Sequence, residues 1–225
     1  MTMIIGHRGA AGYELENSMA SFRKAAEIGV DCIEFDVRLT KDARPIVIHD
    51  RTLRRVANVR GSVARQIFED FDKGIRLKNG ERIMKLEEAC KFISESGLKA
   101  YIEVKARDRR GVIIETVLDI LELDRFYIGS FNHEYIREID RNFPEIKTIA
   151  ITNRHGKALH RLASETTYDC VSVKFNSIDK ETVAIAHENG VEVFVWTIDE
   201  PDDIEFAKSL GVDGIVSNFP DRIRR

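Results

Sequence analysis

Two carboxylates interrupt an apolar run at Asp31-Cys32-Ile33-Glu34-Phe35-Asp36-Val37. Cys32, Ile33, Phe35 and Val37 suit a pleated, buried strand. Strand side chains alternate faces, so Glu34 and Asp36 point the same way, with Cα atoms roughly 6.5–7 Å apart. Two acids held together inside a sheet repel each other and lose hydration, and unpaired buried charge is costly. A divalent cation with oxygen ligands relieves that repulsion. The competing reading puts both acids on a solvated face or against Arg or Lys. Glu103-Val104-Lys105 repeats the spacing, with one acid and one cation on a shared face. His7-Arg8 ends the first apolar run, and His49 ends another. Together these residue types suit attack on an anionic phosphorus centre. Glu34, Asp36 and Glu103 would hold a Lewis-acidic ion. Arg8 and Lys105 would add fixed positive charge. Two histidines suit a proton-in, proton-out pair, because their pKa lies near working pH.

These residues act together only if their elements bring them to one place. Met3–His7 reads as a strand, followed by a loop and a helix that Asn17 caps and Gly29 stops. The acid-bearing strand comes next, and Pro45–His49 forms a hairpin arm with it. Later strands are expected at Ala100–Lys105, Phe126–Phe131, Lys147–Ile151, Cys170–Phe175, Glu192–Trp196 and Gly214–Ser217, with helical stretches between them. Eight β/α units predict a (β/α)8 TIM barrel, a single domain over residues 1–225. A small insertion after the second strand, about residues 50–84, reads as irregular. Within it Arg51–Arg65 is basic and poor in large apolar residues, and Ile67–Phe71 reads as a helical turn. An open doubly wound sheet is the competing fold, but no Gly-rich dinucleotide or P-loop pattern supports it.

Chemistry in such barrels sits at the C-terminal ends of the strands. That rule places His7-Arg8, Glu34, Asp36, Glu103, Lys105, Ser130-Phe131, Lys174, Trp196-Thr197 and Ser217-Asn218 on one rim, with His49 beside it. Each has a plainer reading. A lone histidine is more often structural, Arg8 and Lys105 could be counter-ions, and Trp196 could be core instead of a substrate platform. Convergence from separate segments favours a site. His133, His155, His160 and His187 are assigned no chemistry.

Composition narrows the class. With Lys+Arg 35 against Asp+Glu 38 and a net charge of −3, there is no nucleic-acid footprint and no polybasic membrane patch. A hydrophobic fraction of 43% over 225 residues suffices for one large core. Cys32, Cys90 and Cys170 lack metal-ligand spacing and read as buried free thiols. No run approaches a membrane span and no signal peptide precedes the first strand, so a cytoplasmic protein is the expectation.

Several stretches in order resemble the glycerophosphodiester phosphodiesterase family, of the phospholipase-C-like phosphodiesterase barrels. They are His7-Arg8-Gly9, Glu16-Asn17-Ser18, Glu34-Phe35-Asp36-Val37, Thr40-Lys41-Asp42, His49-Asp50, Glu103-Val104-Lys105, Ser130-Phe131, Trp196-Thr197 and Gly211-Val212-Asp213-Gly214-Ile215. The resemblance implies a TIM barrel that hydrolyses small glycerophosphodiesters to glycerol 3-phosphate and an alcohol. It implies a divalent metal, Mg or Ca, on Glu34, Asp36 and Glu103, with Arg8 and Lys105 as phosphate contacts. His7 matches the base that activates the glycerol 2-hydroxyl and His49 the acid that protonates the leaving alcohol, through a cyclic phosphate that water opens. Ala43, Arg54-Arg55-Val56-Ala57-Asn58 and Ile83-Met84-Lys85-Leu86 depart from the family pattern. These departures bear on the head group, because family members contact the alcohol there. The alternatives are a lysophospholipase-D-like or cyclising activity on lipids, and a non-catalytic barrel that binds phosphoesters.

Overall fold

Strands rich in Val, Ile and aromatic residues recur along the chain, and right-handed crossovers through helices join such strands into a parallel sheet. The structure is a computed structural model that describes residues 2–105, 108 and 110–223. The strands are β1 (Met3–His7), β2 (Cys32–Leu39), β3 (Pro45–Val47), β4 (Lys99–Val104), β5 (Phe126–Ser130), β6 (Lys147–Thr152), β7 (Cys170–Lys174), β8 (Glu192–Trp196) and β9 (Gly214–Ser217). The helices are α1 (Met19–Ile28), α2 (Arg54–Ala57), α3 (Phe68–Lys73), α4 (Leu86–Ser96), α5 (Val112–Leu118), α6 (His133–Asn142), α7 (Lys157–Ala163), α8 (Lys180–Glu188) and α9 (Pro201–Ser209). The strand order is β1-β9-β8-β7-β6-β5-β4-β2, and β1 pairs again with β2, so eight parallel strands close a barrel. The fold is the expected (β/α)8 barrel. β3 lies outside the circle, antiparallel to β2, with Val47 opposite Val37.

Alternation along each strand makes two apolar layers. Ile5, Cys32, Tyr101, Tyr127, Ile149 and Phe194 fill the barrel. Ile33, Phe35, Ile102, Val104, Val171 and Val193 face outward against the helices. Glycine makes the interior rings fit. A Cβ on Gly129 would stand 2.6 Å from a Tyr101 ring carbon, and one on Gly214 would stand 2.7 Å from Phe194. The three cysteines are buried and free, as expected. Among the described residues no helix is long and apolar enough to cross a membrane.

The stretch after β3 is less irregular than its sequence suggests. Besides α2 and α3 it builds its own apolar cluster, in which Leu53, Val56, Val63, Phe71, Leu77 and Ile83 pack on Ile46 and Ile48 of the arm. Its apolar residues are too widely spaced for a periodicity to show. They meet because short turns fold back on one another, with Thr52 bridged to Ser62 and Arg76 to Arg82.

Candidate active site

Sheet register assembles the acids. Asp36 on β2 stands opposite Glu103 on β4, and Glu34 stands opposite His7 on β1. Residues in register project to the same side, so these four side chains meet at the barrel mouth. One carboxylate oxygen from each of Glu34, Asp36 and Glu103 lies within 4.8 Å of the others, and all three residues are buried. The arm brings His49 alongside. The Ile48 amide donates to the Asp36 carbonyl at 2.8 Å, and Arg38 Nε donates to the His49 carbonyl at 2.7 Å. A cavity of about 260 Å³ opens here, lined by His7, Arg8, Glu34, His49, Glu103 and Lys105. Asp36 lies behind this lining and is fully covered. Trp196 and Phe131 form the opposite wall, edge to face at 5.8 Å between ring centres. The Trp196 indole N–H donates to the Ser172 carbonyl at 3.1 Å, which fixes the ring.

Of the other rim residues Thr197 also lines the cavity, whereas Ser130, Lys174, Ser217 and Asn218 do not. Ser130 Oγ donates to the Val104 carbonyl at 2.8 Å, and Ser217 Oγ donates to Asp199 at 3.0 Å. Lys174 is exposed at the end of β7. Asn17 is not the helix cap that its position suggests. Ser18 caps α1, its side chain accepting from the Ser21 amide. Asn17 instead turns inward with φ +56°. Its Nδ2 donates to Asp36 Oδ2 at 2.8 Å, and its Oδ1 accepts from the Asp36 amide at 3.2 Å. A cap and an inward ligand holder share one residue type, and only the packing separates them.

The electrostatics are those of a site short of positive charge. Lys105 Nζ lies 2.9 Å from Asp36 Oδ1 and 2.6 Å from Glu103 Oε1, and Arg8 Nε lies 3.1 Å from Asp36 Oδ2. So the counter-ion reading of Arg8 and Lys105 holds in part. Burial would raise the Asp36 pKa, but Lys105 and Arg8 outweigh it and hold the group below its ordinary value. Its neighbours fare differently. Burial, then Asp36 and Glu103, pushes Glu34 well above the carboxylate range. Burial and Asp36 push Glu103 up to about 7 against the pull of Lys105. Buried Asp36 Oδ1 and Glu103 Oε1 have no aligned hydrogen-bond donor despite the nearby ammonium. Two carboxyls driven toward protonation by burial and mutual repulsion, with buried oxygens that a single ammonium approaches but does not align with, fit a divalent cation with oxygen ligands.

Each histidine has a fixed orientation. His7 Nδ1 lies 2.7 Å from Asn218 Oδ1, and Asn218 Nδ2 donates to Asp199 Oδ2 at 2.7 Å. A carboxylate only accepts, so the Asn218 amide must present its oxygen to His7, and Nδ1 carries the proton. Nε2 is left with its lone pair, 3.9 Å from Glu34. Burial, then Arg8, lowers the His7 pKa to about 4. His49 Nδ1 lies 2.7 Å from Asp50 Oδ1, which leaves its Nε2 for the cavity. Burial lowers the His49 pKa too, while Asp36 and Asp50 oppose the shift. Asp50 is gripped by Arg55 at 2.6 and 3.0 Å, Arg55 reaches Glu16 at 2.5 and 2.6 Å, and Glu16 meets Arg8 at 2.7 Å. A run of alternating charges thus ties His49 to Arg8. Glu16, Asp50, Arg55, Asp199 and Asn218 carry no spacing signal for these roles. Asp50 beside His49, Glu16 shortly after Arg8 and Asn218 at the rim end of the last strand hinted at them; Arg55 and Asp199 gave no signal.

The glycerophosphoryl diester phosphodiesterase family model matches residues 7–222. The chain is 33% identical to the glycerophosphodiester phosphodiesterase of Caldanaerobacter subterraneus subsp. tengcongensis over 239 residues, covering 99% of the chain and 96% of that relative. It is 31% identical to the glycerophosphodiester phosphodiesterase of Bacillus altitudinis, with 99% and 96% covered. A solved structure of an Oleispira antarctica phosphodiesterase, in complex with sn-glycerol-3-phosphate, shares the fold at a TM-score of 0.90 and 22% identity, with 99% and 95% covered.

Proposed function

The chain belongs to the glycerophosphoryl diester phosphodiesterase family, and from that premise we propose that it is a metal-dependent enzyme releasing glycerol 3-phosphate and an alcohol from soluble glycerophosphodiesters. The observation that carries this reading is the meeting of Glu34, Glu103, His7 and His49 at one cavity, with covered Asp36 behind them and a carboxylate oxygen within 4.8 Å of both acids. Glu34, Asp36 and Glu103 would hold Mg or Ca, which when bound supplies Lewis-acid charge beside the phosphoryl oxygens.

The residues supply the rest. Arg8 and Lys105 face the cavity and offset phosphate charge. His7, neutral and with Nε2 free, takes the proton of the glycerol 2-hydroxyl as that oxygen bonds to phosphorus. The bond from phosphorus to the alcohol oxygen breaks, and His49 Nε2 gives that oxygen its proton. Asp50, held by Arg55, accepts from His49 Nδ1 and steadies the imidazolium that makes this possible. Water then opens the cyclic phosphate with the two roles reversed. Phe131 and Trp196 shape the far wall and shield one side from solvent.

A coupled assay for glycerol 3-phosphate with glycerophosphocholine tests the reading. Activity should vanish in chelator and return with Mg or Ca. Full activity in chelator-treated protein would sink the metal role.

A further inference from the structure

Residues 51–65 contain five arginines and no acid. Arg55 joins Asp50 and Glu16, but exposed Arg51, Arg54, Arg60 and Arg65 have no ion-pair partner among the described residues. One of them stands at a built feature. A second cleft, of about 360 Å³, is walled by Arg38 and Leu39 from the end of β2, by Arg51, and by Ser62, Val63 and Ala64. Lys105 completes it, and Lys105 also lines the catalytic cavity, so the two spaces adjoin. None of these lining residues is an acid. Lys105 is shared with Asp36 and Glu103, so the charge facing this cleft is chiefly that of Arg38 and Arg51. Arg38 commits only Nε, to the His49 carbonyl, and its terminal nitrogens have no partner among the described residues. The Arg51 side chain makes no hydrogen bond there either, while its carbonyl accepts from the Val63 amide at 3.0 Å and closes the wall. Two guanidinium forks in a cleft whose lining has no acid form a receptor for phosphate or carboxylate.

The position of the cleft says which part of a substrate would reach it. It lies on the side of His49, whose carbonyl Arg38 holds and from which Arg51 is two residues away. His49 is the group that protonates the leaving alcohol in the reading above, and this inference rests on that reading. We propose that the cleft bounded by Arg38, Arg51 and Lys105 binds a second anionic group on the leaving alcohol, so that the enzyme prefers glycerophosphodiesters of phosphorylated or carboxylated alcohols. Alcohols that are cations, such as choline, meet only repulsion there.

The test compares matched diesters on the metal-loaded enzyme: glycerophosphoinositol against its ring-phosphorylated form, and glycerophosphoglycerol against a glycerophosphate trimer. The first pair presents a terminal phosphate and the second an internal diester, as in a polymer. The anionic member of at least one pair should show kcat/KM at least about tenfold higher at low salt, and the advantage should shrink in 0.5 M KCl, where the Debye length is only about 4 Å. Arg51→Glu should abolish the advantage, and Arg51→Lys should keep part of it. Equal or lower kcat/KM on both anionic members, or an advantage that survives Arg51→Glu, overturns the cleft while leaving the phosphodiesterase reading intact. If none of the four diesters is hydrolysed, that reading falls first and the cleft proposal with it.

Discussion

Asn218 Oδ1 sits 2.7 Å from Nδ1 of His7, although 211 residues separate the two in the chain. The contact closes the barrel chemically as well as topologically, because β1 and β9 are neighbours in the sheet. It also fixes the histidine's tautomer, since Asp199 dictates which way the Asn218 amide faces.

Replacing Asn218 tests that relay. Asn218→Leu should lower kcat by about tenfold to a hundredfold, part of the roughly 10²–10⁴ that a general base contributes. Asn218→Asp keeps an acceptor for Nδ1 but loses the donor to Asp199, so it should restore only part of the activity, while the added carboxylate raises the His7 pKa from about 4. A base works only above its own pKa, so the acid limb of kcat/KM should then move to higher pH. An unmoved limb in Asn218→Asp would show that His7 is not the base.

His49 is tested by leaving-group chemistry. His49→Ala should cost about 10²-fold or more in kcat on glycerophosphocholine, whose alkoxide leaves badly without a proton. On a diester of p-nitrophenol the loss should be far smaller, because that oxygen leaves unprotonated. Equal losses on both substrates contradict the acid role.

Ion binding should depend on pH with a defined sign. Burial and the Asp36 charge push the Glu103 carboxyl up to about 7, and burial with both neighbours raises Glu34 further, so protons compete with the ion at neutral pH. Apparent Mg or Ca affinity should therefore fall as pH drops from 8 to 6, by about tenfold per unit for each proton displaced. Calorimetry in two buffers of different ionisation heat reads the released protons directly. Affinity independent of pH, with no proton release, contradicts the shifts.

Gly129 should tolerate no side chain. Gly129→Ala sets a methyl group 2.6 Å from the Tyr101 ring inside the barrel. Overpacking of this kind costs about 1–3 kcal/mol, and each kcal/mol lowers Tm by about 2–4 °C in a chain of this size. Thermal unfolding of the variant at wild-type Tm would show that the ring has room to move.

The architecture could be read along the chain because its causes are local. Eight apolar runs alternating with amphipathic segments dictate a wound parallel sheet, and a period of two puts Glu34 and Asp36 on one face wherever that strand lies. The residues proposed for proton transfer and ion binding were all found this way, since each belongs to a strand or to the hairpin arm. Their partners were not. Asn17 reads as a cap until β2 packs beside it and gives its amide a carboxylate, leaving the cap to Ser18. The reach of Arg55 to Glu16 depends on how the insertion folds back, the placing of Asp36 directly opposite Glu103 on register, and the reach of Asn218 to His7 on closure. Register is set by how whole strands bury their inner and outer faces at once. No window of neighbouring residues contains that condition, so these pairings emerged only once the barrel was closed.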